Sequence, residues 1–195
     1  MRLRGDGLAG GEPDGRNRDR LSLAHPRLHS GEPWPNLLGL LVMAGFVGGI
    51  FLAPEAGAQM KGVQAATALE GCGLEGDRYC AGTGHWSRFG KVCEVTFIAA
   101  EDLADIQRET GVGVNNGEHR RNVLTAGISL NVLRRGQRFR AGGVAFEHRG
   151  PRSVCRYIER LTQPGMTQAL KGRGGICARV IGNGTVRVGD EIELL

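Results

Sequence analysis

Short runs of strand-forming residues, cut apart by glycine turns, constrain this chain more than any other feature. Glycine accounts for 33 of its 195 residues. Val92 to Ala99 (VCEVTFIA) has the period-2 character of a half-buried strand. Arg138 to Glu147 reads as a hairpin or bulged strand through Gly142-Gly143, and Gly175–Ile181 and Val186–Leu194 read as two strands joined at Asn183-Gly184, a hairpin dipeptide. Helical signals are few. Ala100–Thr110 is a short helix with Leu103 and Ile106 inward and Gly111 as its stop. Ile128–Leu133 gives one helical turn, and Gly165–Lys171 a brief helix. Gly71–Tyr79 and Arg120–Gly127 read as polar loops. This pattern predicts a mainly β protein, a closed or half-closed β-barrel with a few short helices.

The N-terminal part is of another kind. Residues 1–36 are rich in Gly, Pro, Arg and Asp and have no apolar period, which predicts disorder. Leu37 to Ala53 is then an uncharged apolar stretch of 17 residues. A membrane-spanning helix needs about 20 residues, so this stretch sits at the short end. As an export signal it has a poor basic leader, although Ala56-Gly57-Ala58 resembles a cleavage site. A buried strand over Phe46–Leu52, closed by Pro54, fits better. The expected domain therefore runs from Met43 to the end, with residues 1–42 a disordered or spurious extension. No membrane association is expected, and membrane anchoring or export stays the alternative.

The net charge of +5 comes from 25 Lys and Arg against 20 Asp and Glu. Arginine outnumbers lysine heavily; the lysines are Lys61, Lys91 and Lys171. Guanidinium groups suit bidentate recognition of phosphate or carboxylate, and a high-GC genome gives the same bias. Aromatic content of 5% argues against an RNA platform of stacked rings, and no long basic run points to nucleic acid. Cys72, Cys80, Cys93, Cys155 and Cys177 include no C-x-x-C pair. Their odd number argues against a disulfide framework, so a reducing, cytoplasmic setting is expected. The histidines form no zinc-hydrolase spacing.

The chemistry concentrates at Glu147–Leu161. Val154, Ile158 and Leu161 fall on one apolar helical face, and Pro151 and Ser153 are helix-start residues. Cys155 is thus expected in or beside the first helical turn, with Arg149, Arg152 and Arg156 around it. Both features favour a thiolate, either a nucleophile or a soft metal ligand. An inert buried cysteine is the alternative. His119-Arg120-Arg121-Asn122 can bind an anion or form a solvated charged face. Lys171-Gly172-Arg173-Gly174-Gly175 can form an anion nest or a flexible turn. Asp77 reads as a turn-maker, and Cys177 as core.

Taken in order, several segments resemble the MOSC domain, the C-terminal domain of molybdenum cofactor sulfurases, and most closely its small stand-alone bacterial members. They are Ile50–Met60 (IFLAPEAGAQM), Gly73–Tyr79 (GLEGDRY), Arg120–Asn131 (RRNVLTAGISLN), Pro151–Thr162 (PRSVCRYIERLT), Gly172–Val180 (GRGGICARV) and Val186–Ile192 (VRVGDEI). The resemblance implies a MOSC-type β-barrel and makes Cys155 the counterpart of the family's signature cysteine, which carries sulfur or ligates molybdenum. It implies a molybdenum cofactor (molybdopterin) held by Arg120, Arg121, Asn122, Arg152, Arg173, Gly174 and Gly175. Reduction of N-hydroxylated small molecules, with a separate electron-donating reductase, is the implied reaction. The alternatives are a sulfurtransferase holding a persulfide on Cys155 and a non-catalytic anion-binding barrel. Pyridoxal phosphate belongs to the cysteine desulfurase domain, which this chain lacks, so it is expected only in a partner desulfurase.

Overall fold

The computed structural model describes residues 45–90 and 93–195. The expected domain boundary near Met43, and the extension before it, lie outside the described residues. The apolar run does enter the fold as a strand. β1 (Gly45–Leu52) buries Val47 and Ile50 and is followed by Pro54, which cannot donate to a ladder. Among the described residues no helix is long and apolar enough to cross a membrane.

The described residues form a mainly β barrel. After β1 come β2 (Lys61–Val63), β3 (Ala65–Leu69), β4 (Gly73–Leu74), β5 (Val95–Ala99), α1 (Ala100–Thr110), β6 (Val123–Ala126), β7 (Arg138–Ala141) and β8 (Val144–Pro151). The rest is α2 (Arg156–Leu161), α3 (Met166–Ala169), β9 (Ile176–Ile181), β10 (Gly184–Arg187) and β11 (Glu191–Leu194). Seven strands close in the order β11-β7-β8-β9-β5-β6-β1, with β1 pairing back onto β11 and β2 added at the side of β1. Closure removes the open edges that a flat sheet would expose. β10, β3 and β4 form a separate three-stranded sheet.

Alternation along β5 explains two cores from one strand. Val95 and Phe97 point into the barrel, where Phe97 meets Phe139 and Phe146 edge-on, both at 5.0 Å between centroids. Ile98 points outward under the helices and packs with Leu103, Ile106, Met166 and Leu170. Burying each of these large side chains is worth about 1.5–3 kcal/mol. α1 ends as its sequence predicts, with Gly111 left-handed (φ 70°) and donating to the Gln107 carbonyl. It carries the crossover between the parallel pair β5 and β6.

Four expectations are corrected. Asn183-Gly184 does not join paired strands: β10 pairs with β3, and Asn183 Oδ1 accepts from the Glu70 amide at 2.8 Å. The run Val186–Leu194 is two strands, because the turn at 188–190 sends β11 to β1 and β7. Part of the expected loop Arg120–Gly127 is β6, whose Val123 and Thr125 fill alternate buried positions. Four of the five cysteines pair, Cys72 with Cys80 and Cys93 with Cys177. The second pair joins β9 to the residues just before β5, which the fold brings side by side, since Thr96 and Cys177 share a register position between β5 and β9. Sequence spacing could not reveal that, and the odd number of cysteines does not exclude disulfides here.

Candidate functional site

Four chain segments meet beside the barrel to form one pocket, with an empty volume of about 480 Å³, and the turn after β1 contributes Ala56. The loop after β4 supplies Arg78, Tyr79, His85 and Trp86. The approach to β6 supplies Arg120 and Arg121. The exit from β8 supplies Arg152, Ser153, Val154 and Cys155, followed by Tyr157 and Ile158 of α2.

Cys155 is the residue immediately before α2, in extended backbone (φ −141°, ψ 161°). The helix therefore starts later than the Pro151 and Ser153 signals predict. Pro151 ends β8 instead, and the Arg152 amide continues the pairing by donating to the Gly175 carbonyl at 2.8 Å. The Cys155 carbonyl accepts from the Ile158 amide at 3.1 Å, while its thiol makes no capping bond, so the sulfur is left to the pocket. It is half-buried and is the free cysteine among the described residues. Since α2 is only six residues long, less than two turns, positive charge around the sulfur comes mainly from side chains. Arg152 lines the pocket. Arg149 turns to Glu147 at 3.2 Å, and Arg156 is exposed.

Arg120 and Arg121 reach the same pocket although they are neighbours in sequence, and in an extended chain adjacent side chains point to opposite faces. Arg120 is the non-glycine residue with positive φ (55°) among those described, and that left-handed turn redirects the chain. Arg120 Nη1 donates to the Ala58 carbonyl at 2.8 Å. Burial, then the nearby Arg78 cation, lowers its pKa. Arg121 is fixed by Nε to the Gly174 carbonyl (2.6 Å) and Nη1 to the His119 carbonyl (2.8 Å). Its Nη2 is buried and has no partner. Burial, then Arg152, pulls its pKa down from the ordinary guanidinium value to about 9, so it remains a cation at neutral pH; Cys155 acts the other way and favours the charge. Behind it, His119 Nδ1 accepts from the Arg121 amide at 3.0 Å. Burial, then Arg121, lowers the His119 pKa to about 3.

Arg78 has a carboxylate partner. Asp77, fully buried, sits 2.9 Å from Arg78 Nη1 and also accepts from the Ala53 and Tyr79 amides and from Asn122 Nδ2. That is the turn-making role its sequence suggests, extended into a hub. Arg120, Arg121 and Arg152 have no carboxylate partner among the described residues. Three uncompensated guanidiniums beside a thiol, one with an orphaned buried N–H, form a site suited to an anion. The soft sulfur is a fitting ligand for a metal that brings its other ligands with it. No group of three His, Cys, Asp or Glu side chains could hold a bare metal ion among the described residues.

The other sequence-predicted residues lie elsewhere. Asn122 is fully buried and bonds Thr96, the Phe51 carbonyl and Asp77, so it ties the start of β6 to β5 and β1 rather than facing the pocket. Arg173 pairs with Glu109 of α1 at 2.8 Å. Gly174 and Gly175 line an adjacent groove of about 960 Å³ with Asn131, Lys171 and the other side of Arg152–Val154. An added Cβ on Gly175 would run into the Phe97 carbonyl, and one on Gly174 into the Arg152 carbonyl. Close strand packing requires both glycines. The pocket residues missed from sequence are Arg78, Tyr79, His85, Trp86 and Tyr157. His85 stacks on Tyr157 at 3.8 Å, with Trp86 edge-on to His85 at 4.8 Å. The signal was there: the chain has two tyrosines, Tyr79 and Tyr157, and both line this pocket.

Residues 84–193 match the MOSC domain. The match includes Arg120, Arg121, Arg152 and Cys155; Arg78 and Tyr79 precede it. The structure is similar to the YuaD protein from Bacillus subtilis, with TM-score 0.65 and 20% identity over 77% of this chain and 95% of that one. It is also similar to YiiM from Geobacillus stearothermophilus, with TM-score 0.60 and 14% identity over 77% of this chain and 75% of that one. YiiM from Escherichia coli gives TM-score 0.53 and 20% identity over 76% and 69%. At these identities the likeness is one of fold. No curated protein matches by sequence.

Proposed function

This chain belongs to the MOSC domain family, and we propose that it binds a molybdenum–pterin cofactor and reduces N-hydroxylated small molecules with electrons from a separate reductase. One observation carries this reading: a free thiol and three guanidiniums without carboxylate partners line one pocket, and a buried Arg121 N–H there is unsatisfied. The cofactor, when bound, supplies a two-electron redox centre. Cys155 Sγ is the protein's ligand to its metal. Arg120, Arg121 and Arg152 hold its phosphate and polar edge, and Arg121 Nη2 gains the acceptor it lacks. The stacked pair His85–Tyr157 offers a flat wall to a planar group. Pyridoxal phosphate is expected only in a partner desulfurase. We also propose that the domain begins near Met43, which the position of β1 supports.

The test is turnover of an N-hydroxylated amidine by the holoprotein with a reduced viologen dye as donor. The expected result is formation of the amidine by wild type and none by Cys155→Ala. No turnover by cofactor-loaded wild type overturns the reading. The half-buried free Cys155 favours a second reading, in which the thiol carries a persulfide delivered by a cysteine desulfurase. Intact mass would then gain one sulfur atom at Cys155, removable by reductant.

A further inference from the structure

The pocket holds a second group poised for proton chemistry. Tyr79 is 8% exposed, yet its hydroxyl oxygen accepts from Arg152 Nη2 at 2.9 Å. The Arg78 guanidinium lies 4.5 Å from its ring centroid. Because Arg152 is the donor in that bond, the hydroxyl hydrogen of Tyr79 is committed to no acceptor among the described residues and can be offered to a ligand.

We propose that Tyr79 is the proton donor of this pocket, passing the hydrogen on Oη to the oxygen of an N-hydroxylated substrate bound beside the group that Arg120, Arg121, Arg152 and Cys155 hold. The inference rests on the oxidoreductase reading above. Removing an N-hydroxyl oxygen breaks one N–O bond, consumes two electrons and two protons, and yields the amine and water. The reductase supplies the electron pair. Tyr79 gives one proton to the departing oxygen, and solvent supplies the other and then reprotonates Tyr79.

Cations on separate segments hold the phenolate left behind. Arg78 comes from its own loop, Arg121 from the approach to β6 and Arg152 from the exit of β8. Burial opposes ionisation of Tyr79, but Arg152, Arg78 and Arg121 together outweigh it, and its pKa is lowered from 10.0. The other titratable side chains around the pocket are Cys155, His85 and Tyr157, with Asp77 behind Arg78. Tyr157 stacks on His85, and among the described residues no guanidinium donates to its hydroxyl. Tyr79 is therefore the tyrosine whose conjugate base is provided for.

Two readouts test this. In Tyr157→Phe protein, Tyr79 is the remaining tyrosine, and near-ultraviolet phenolate absorbance follows it without any turnover. The expected midpoint lies below the ordinary tyrosine value of about 10 and moves up when orthophosphate occupies the arginines. A midpoint at or above about 10 overturns the assignment. In the holoprotein, Tyr79→Phe should lower kcat on an N-hydroxylated amidine by about 100-fold or more, with little change in KM and without the alkaline limb of the wild-type pH profile. Full kcat in Tyr79→Phe overturns the role of Tyr79 alone. An inactive cofactor-loaded wild type overturns the oxidoreductase reading and the N–O step with it.

Discussion

Replacing Arg121 with methionine separates its service to a bound anion from its service to the fold. The residue is 4% exposed, and burial, with Arg152 second, lowers its pKa from the ordinary guanidinium value to about 9. At about 1.4 kcal/mol per pH unit, the buried cation is disfavoured by roughly 5 kcal/mol in the ligand-free protein. Since the folded pKa lies below the unfolded one, that penalty is complete below about pH 9 and fades as pH rises toward 12.5. Neutral pH therefore reads all of it. Against it stand the bonds from Nε to the Gly174 carbonyl and from Nη1 to the His119 carbonyl, charge-assisted and worth about 1.5–3 kcal/mol each. The two contributions nearly cancel. Ligand-free Arg121→Met should unfold within about 2 kcal/mol of wild type, or about 4–8 °C in Tm. Phosphate binding separates the two proteins. At a concentration about 100 times its Kd, orthophosphate should stabilise wild type by about 2.7 kcal/mol, and Arg121→Met should gain almost nothing. Thermal unfolding with and without phosphate gives both numbers. A variant that melts more than about 15 °C below wild type, beyond what two lost hydrogen bonds explain, yet keeps the full phosphate shift, would show Arg121 to be a structural post and refute this account.

Acid should destabilise the protein through His119. Its pKa is about 3 in the fold against 6.5 unfolded, so its contribution is present above pH 6.5 and is lost as pH falls toward 3, by up to about 5 kcal/mol. Urea unfolding at pH 7 and pH 4 should show the loss, and His119→Asn should flatten it; an unchanged slope contradicts the buried neutral ring. Arg120→Gly relieves a left-handed backbone worth roughly 1–2 kcal/mol to an L-residue. It should leave Tm near wild type while weakening phosphate binding about tenfold or more, the equivalent of one charge-assisted hydrogen bond; isothermal titration reads it, and unchanged affinity counts against Arg120 as a ligand. Chain-entropy arguments give about 2.5 kcal/mol for the short Cys72–Cys80 loop and about 4.5 kcal/mol for Cys93–Cys177. Serine at both positions of each pair should lower Tm in that order, and equal Tm values would mean that the sulfurs are not bonded in solution.

The barrel was legible because its signals are local. Alternation in Val92–Ala99, the glycine stop at Gly111 and the apolar run before Pro54 each fix an element without reference to a partner. Partner choice was not legible. Asn183-Gly184 marks a reversal, but Gly184–Arg187 finds β3, more than a hundred residues earlier, and no dipeptide encodes that. In the site, local chemistry singled out Cys155 and the paired arginines, and the fold brings them to one pocket with Arg152. Asn122 and Arg173 stood in equally polar contexts. They are consumed by Thr96 and Glu109, partners distant in sequence. Tyr79 and Trp86 lie in a glycine-rich loop with no periodicity, and only the fold brings them to the pocket.

Molybdenum content per chain is the most direct test of the central claim. Protein purified from a host that makes the cofactor should carry about one molybdenum per wild-type chain and almost none in Cys155→Ala, at equal folding by circular dichroism. Wild-type protein without metal, or metal retained in full by Cys155→Ala, would contradict a thiol-held centre in this pocket.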